Sequence, residues 1–212
     1  MTLPGTLIIA RHHESEWNKK GLWTGSRDVH LTPYGFAKSK EMGELLKGLH
    51  IDTAFASTQV RSQETLSCVL DVLDVSDVPV EYLSALNERD YGDYTGKNKW
   101  DMKKLVGDEV FEHIRRDWEY PIPHGETLKM VYERVIPFYQ DRVVPLLARG
   151  DNVLIVSHGN ALRALMIYVE SIPHAEAKNL EMLFGAVVIY QVNEMGKIEH
   201  KEVRSIASDV NA

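Results

Sequence analysis

The chain alternates short, wholly apolar runs with longer segments whose apolar residues recur every three or four positions. The run 6–10 (TLIIA) reads as a buried strand, as do 53–57 (TAFAS) and 152–157 (NVLIVS), the last being the clearest. Thr32 as N-cap and Pro33 at the first helical position open a helix carrying Met42, Leu45, Leu46 and Leu49 on one face. A second helix presents Leu66, Val69, Leu70 and Leu73, and 78–83 (VPVEYL) reads as a further strand. Two short polar helices are expected near 98–106 and 108–118, closed by YPIPHG. A long helix with Leu128, Val131, Tyr132 and Val135 on one face should kink or split at Pro137 and Pro145. NALRALMIYVE is a helix after the 152–157 strand, and AVVIYQV with KIEHKEV predicts a closing hairpin around NEMG. The last residues, SIASDVNA, are small and polar and read as a mobile tail.

Strands that alternate with helices and are apolar throughout predict an α/β three-layer sandwich, with a mainly parallel central sheet flanked by helices. Residues 1–212 form one domain in this reading, with 97–123 as a short lid-like insertion. A chain of 212 residues that is 44% hydrophobic suffices for one sizeable core. The net charge of −7 argues against nucleic acid as a partner. An anionic ligand must therefore be held by a local cluster of Arg and Lys against a mildly repulsive field. Cys68 is the one cysteine, so no internal disulfide forms, and it reads as a small semi-buried helical residue. No apolar stretch is long enough for a bilayer and the start lacks a signal-peptide pattern, so no membrane partner is expected, and the lone cysteine fits a reducing compartment.

In open α/β sheets the site lies beyond the carboxyl ends of the strands. Four separate connections deliver unusual residues there: Arg11 and His12; Ser57 and Arg61; Glu88 and Arg89 in LNERDYG; His158 and Asn160 in HGNALR. Imidazole is a good nucleophile near neutral pH, and attack on phosphorus splits one hard transfer into two easier ones. Flanking guanidinium groups match the oxygens of a phosphoryl group in flight, which suits Arg11 and Arg61, with His158 a third donor if protonated. Glu88 could supply the proton for the leaving oxygen if phosphate charge nearby raises its pKa. Neither G-x-x-x-x-G-K-[ST] nor G-x-S-x-G occurs. His12, His13, Glu16 and His158 are all metal-ligand types, but adjacent residues of an extended segment face opposite ways, so no catalytic metal is expected.

RHHESEWN, LNERDYG and SHGNALR resemble the diagnostic motifs of the histidine phosphatase superfamily and, within it, of the cofactor-dependent phosphoglycerate mutases. The likeness runs from TLIIARH to the GAVVIYQV strand. It implies a metal-independent phosphohistidine enzyme that interconverts 3-phosphoglycerate and 2-phosphoglycerate, primed by 2,3-bisphosphoglycerate. By motif, His12 is the nucleophile, Glu88 the proton donor and acceptor, and Arg11, Arg61 and His158 the phosphate pocket. Further contacts to a small phosphorylated three-carbon acid fall to Asn18, Thr24, Gly25, Tyr91, Lys99, Arg115, Arg116 and Asn160. Together they favour a mutase, which must grip a carboxylate and both phosphate positions. The alternatives are a histidine phosphatase of small phosphorylated metabolites or a catalytically weakened phosphoanion-binding relative, as a monomer or a homodimer.

The chain departs from that pattern at four places. His13 stands where the motif usually has Gly, and must point away from the pocket or intrude on it; the expected arrangement is that it points away. WTGS replaces the common FTGW, so an aromatic contact beside Thr24 and Gly25 is missing. Asp90 stands where an aromatic or His is usual, adding negative charge beside Glu88. The stretch from Arg116 to Gly125 is short, which predicts a smaller lid.

Overall fold

A computed structural model describes residues 5–193 and 198–206. Its strands are β1 (Gly5–Arg11), β2 (Thr53–Ser57), β3 (Val80–Leu83), β4 (Asn152–Ser157), β5 (Ala186–Val192) and β6 (Ile198–Ser205). They form one sheet in the order β3-β2-β4-β1-β5-β6. The first four in that order run parallel, while β5 lies antiparallel to β1 and β6 antiparallel to β5. Arg11 pairs with Ser157 and Ser57 with Leu83, so the chain leaves these strands along one edge of the sheet.

Side chains along a strand alternate between faces, and here each face meets its own apolar layer. Leu7, Ile9, Phe55, Val153 and Ile155 join a core with α6 (Leu128–Phe138) and α8 (Gly159–Val169). Ile8, Ala10, Ala54, Ala56, Leu154 and Val156 join a second core with α2 (Pro33–Leu45) and α3 (Val60–Leu73). That produces the expected three layers. Strands buried on both faces need apolar residues throughout, which is why their sequences do not alternate.

Local signals explain most boundaries. The Thr32 side chain accepts the Gly35 N–H with Pro33 behind it, which starts α2. Between α6 and α7 (Val144–Ala148) the chain does not break at its prolines; it widens into a π turn over Tyr139–Val143. Pro137 has no N–H for the helical ladder, and a wider turn absorbs the misfit; Pro145 sits in the first turn of α7, where no N–H is needed.

Two expectations change. Strand 78–83 shrinks to β3 at the sheet edge, with Val80 and Tyr82 exposed, because it has a neighbour on one side only. Two residues of the expected tail are ordered, since Ser205 closes β6 and Ile206 is buried in the second core, while 207–212 lie outside the described residues. So do residues 194–197 of the hairpin turn. The four-residue helix α1 (Glu16–Lys19) is too short to show periodicity in the sequence; reciprocal capping between Ser15 and Asn18 holds it.

Residues 97–123 include α4 (Lys99–Val106) and α5 (Asp108–Arg116). Met102, Phe111, Ile114 and Ile122 pack with Trp23 and Tyr91 into a third apolar cluster, so this segment is anchored on the loops around the sheet edge. Cys68 is a free, buried thiol on α3, and burial raises its pKa.

Candidate active site

A cavity of about 740 Å³, open mouth included, lies at the carboxyl ends of the parallel strands. Twelve of the thirteen residues singled out in the sequence line it; His158 is the exception. His158 stands directly behind His12, ring edge to face, with centroids 4.9 Å apart. Its Nε2 lies 2.7 Å from Ser57 Oγ, and its Nδ1 has no partner among the described residues. Burial, then the charge of Arg61, holds His158 well below the ordinary imidazole pKa, so the expected third positive donor is a neutral ring here.

His12 follows the last residue of β1. Its Nδ1 is 2.6 Å from the carbonyl oxygen of His13. A carbonyl only accepts, so Nδ1 carries the proton and Nε2 keeps the lone pair. Burial, then Arg61 and Arg11, presses the His12 pKa well below its usual value, so the ring is a free base at neutral pH. The two flanking guanidinium groups are fixed by backbone oxygens. Arg61 donates to the carbonyls of Arg27 (2.9 Å) and Gly25 (3.2 Å) and to Gln59 Oε1 (3.1 Å). Arg11 donates to the Met182 carbonyl and stacks 3.7 Å from the centroid of the Phe184 ring. Burial lowers both to about 10, which leaves both charged at neutral pH.

Glu88 lines the opposite wall. Its Oε1 accepts from the Arg89 N–H (2.7 Å), the Asn160 N–H (3.2 Å) and Asn160 Nδ2 (3.1 Å). Oε2 has no hydrogen-bond partner among the described residues, so one oxygen is anchored and the other is available for a proton. Asn160 Nδ2 also reaches the Tyr91 hydroxyl at 3.1 Å, and Tyr91 stacks on Trp23. Gln59, which the sequence reading passed over, joins these parts: Oε1 accepts the Glu88 N–H at 2.9 Å, and Nε2 donates to the Gly25 carbonyl at 2.9 Å. Gly25 has φ +52°, and a Cβ there would meet Thr95 Oγ1 at 2.9 Å. Thr24 Oγ1 is buried without a partner among the described residues, and Asn18 spends its Oδ1 on Ser15, so both offer spare donors at the cavity wall.

The outer wall comes from α4 and α5. Lys99 begins α4, and Arg115 and Arg116 end α5. Burial lowers the Lys99 pKa. Arg115 and Arg116 each have a carboxylate of Glu112 within 4 Å, at 3.6 and 3.9 Å. Two buried arginines outside the predicted set fix the end of this helix. Arg89 donates to the carbonyl of Ile114 (2.7 Å), and Arg163 donates to those of Arg115 (3.3 Å) and Arg116 (3.0 Å). Helix ends leave their last carbonyls unpaired, and cations are favourable there. Both arginines belong to motifs quoted above, yet a sequence does not show that their targets are backbone atoms 25 or more residues away.

Three of the four departures resolve individually. His13 does not line the cavity. It is fully buried on the far side, where Nδ1 accepts the Glu14 N–H at 2.8 Å and the ring packs on Tyr34 and Phe184. Glycine at 185 makes room for it, since a Cβ there would lie 2.9 Å from His13 Cδ2. Asp90 also turns away: its Oδ1 accepts the Gly92 N–H in a tight turn, so the extra charge does not face the cavity. Ser26 is exposed, and the aromatic surface beside Thr24 is Trp23. Also unpredicted are Glu181, Met182 and Phe184, which approach from the segment before β5.

The lining carries six cationic side chains against two carboxylates, a donor set suited to a multiply charged anion. A family model for the histidine phosphatase superfamily (branch 1) matches residues 7–202. A protein of Parvibaculum lavamentivorans named 2,3-bisphosphoglycerate-dependent phosphoglycerate mutase is 39% identical over 203 residues, covering 95% of this chain and 97% of that protein. One of the same name from Mesorhizobium japonicum is 44% identical over 200 residues, covering 93% and 97%. Among solved structures, Bacillus stearothermophilus YhfR matches with a TM-score of 0.81 at 27% identity, covering 96% of this chain and 98% of that one. With the same motifs seated around one cavity, the chain belongs to branch 1 of the histidine phosphatase superfamily, in the family of the 2,3-bisphosphoglycerate-dependent phosphoglycerate mutases.

Proposed function

We propose that this protein interconverts 3-phosphoglycerate and 2-phosphoglycerate in the cytoplasm, through a phosphoryl group carried on His12. The observation that carries the reading is the bond between His12 Nδ1 and the His13 carbonyl, which leaves Nε2 basic in a cavity walled by Arg11 and Arg61. When bound, 2,3-bisphosphoglycerate supplies the phosphoryl group that primes His12. The donor-rich wall of Thr24, Asn18, Lys99 and the two α5 arginines fits its charge.

His12 Nε2 forms its bond to phosphorus as the bond from phosphorus to the leaving oxygen breaks, and Glu88 protonates that oxygen. Arg11 and Arg61 stabilise the charge on the phosphoryl oxygens in both directions. In the mutase half, Glu88 takes the proton from the 2-hydroxyl of 3-phosphoglycerate while that oxygen takes the phosphoryl group from His12. The ligand then turns, and His12 recovers a phosphoryl group from position 3 as Glu88 returns the proton. The outer cations hold the carboxylate and the second phosphate through that turn.

Purified protein supplied with 3-phosphoglycerate is expected to form 2-phosphoglycerate only after a trace of 2,3-bisphosphoglycerate is added, with free phosphate a minor product. Phosphate released faster than the isomer appears would replace the mutase reading with a phosphatase. Binding without either product would point to the weakened phosphoanion-binding relative.

A further inference from the structure

The chemistry above makes no use of one carboxylate in the cavity wall. Glu181 lies in the segment between a short helical turn, His174–Asn179, and β5. That segment touches both ends of the cavity. At the inner end Met182 offers its carbonyl to Arg11, and Phe184 lies against the same guanidinium. At the outer end Glu181 Oε1 accepts from Arg116 Nη2 at 2.8 Å. The other carboxylate near Arg116, Glu112, is 3.9 Å away on the same helix. Arg116 is therefore paired with a carboxylate from a different segment of the cavity wall. Burial opposes ionisation of Glu181, but the hydrogen bond from Arg116 and the charges of Arg116, Arg115 and Arg11 outweigh it and hold the pKa below its usual value.

We propose that Glu181 is a specificity-determining residue: a resident anion that the outer charged group of a ligand must displace from Arg116. It leaves the binding of a lone phosphoryl group at Arg11 and Arg61 nearly untouched. The proposal rests on reading the cavity as a site for a two-ended phosphorylated acid. A ligand that reaches Arg116 breaks the existing pair and then sits beside a like charge. A ligand confined to the inner wall does neither. The displaced carboxylate thus weakens ground-state binding of every two-ended ligand, a use of repulsion as well as attraction in setting selectivity. Such weakening favours release and reorientation, since uniformly tight binding does not speed turnover. The pair is partly exposed, so the effect is modest.

The test is equilibrium binding of inorganic phosphate and of 3-phosphoglycerate to unprimed protein, which cannot transfer a phosphoryl group between them. Glu181→Gln keeps the size and a hydrogen-bonding oxygen but removes the charge. It is expected to tighten 3-phosphoglycerate about five- to tenfold and to change phosphate less than about twofold. In an Arg116→Ala background the gain from Glu181→Gln is expected to vanish. Equal effects on both ligands, no effect on either, or a gain that persists without Arg116 would overturn the proposal. If wild-type protein binds 3-phosphoglycerate and Glu181→Gln behaves identically, the role of Glu181 alone is refuted. If wild-type protein binds neither ligand, the reading of the cavity fails and this inference fails with it.

Discussion

The inner and outer walls of the cavity are built by opposite means. The inner wall is made of residues at or just beyond strand ends, and Arg61, His12 and His158 are almost wholly buried. Its guanidinium groups are clamped by backbone oxygens, and its imidazoles are kept neutral by burial and by those same cations. The outer wall stands on two short helices, and its arginines are half-buried, facing carboxylates of Glu112 and Glu181. A buried, fixed charge acts in a low dielectric and needs no reorganisation when charge develops in a transition state. A half-exposed, already paired charge is screened and exchangeable, which suits recognition of a ligand that must turn. The division of labour follows from burial rather than from residue type, since both walls use arginine.

That contrast breaks first at Arg61. Arg61→Ala removes a charge whose position is fully determined, and kcat is expected to fall about 10²- to 10³-fold. A loss confined to KM would place Arg61 with the outer wall. The next largest effect concerns the back of the inner wall. His13→Gly should cost roughly 2 kcal/mol of stability at pH 7.5, through the cavity it leaves between Tyr34 and Phe184. Burial lowers the folded-state pKa of His13 to about 4, below the 6.5 of an unperturbed ring. The unfolded chain binds the proton first, so this stabilisation is complete above pH 6.5 and is lost as pH falls towards 4. Melting curves of wild type and His13→Gly should therefore converge over that window. A gap that stays constant would mean that His13 is charged or exposed in the folded protein. The smallest effect is on the outer wall: Lys99→Ala should raise KM about tenfold and leave kcat within about threefold, with the difference shrinking at high salt. A salt-independent fall in kcat would instead make Lys99 part of the chemistry.

How far the sequence discloses this arrangement depends on how local each cause is. Strand and helix positions follow from apolar spacing, and the start of α2 follows from Thr32 and Pro33, because those causes lie within a few residues. The residues at strand ends were legible because sheet topology carries them to one edge whatever the details. The conjunction Glu181–Arg116 was not legible, since 65 residues separate the partners and only Arg116 belongs to the pattern that the resemblance carries. The roles of Gln59, Arg89 and Arg163 were not legible for a related reason, although Arg89 was placed at the sheet edge: much of what they hold is backbone oxygen, which carries no residue identity. His158 was a third positive donor only if protonated, and burial decides against that; a sequence does not state how deeply a ring is buried. The orientation of His13 was anticipated from the alternation of an extended chain, whereas the space that admits it depends on Gly185, 172 residues on.

The central claim is that His12 carries the phosphoryl group on Nε2 because the His13 carbonyl holds the proton on Nδ1. Protein labelled with ¹⁵N in its histidine rings, treated with 2,3-bisphosphoglycerate and examined by ³¹P–¹⁵N coupling, reads this directly. The account predicts one acid-labile phosphohistidine, at His12, with phosphorus coupled to Nε2 and none formed in His12→Ala. Phosphorus on Nδ1, on another histidine, or absent from a correctly folded protein would contradict it.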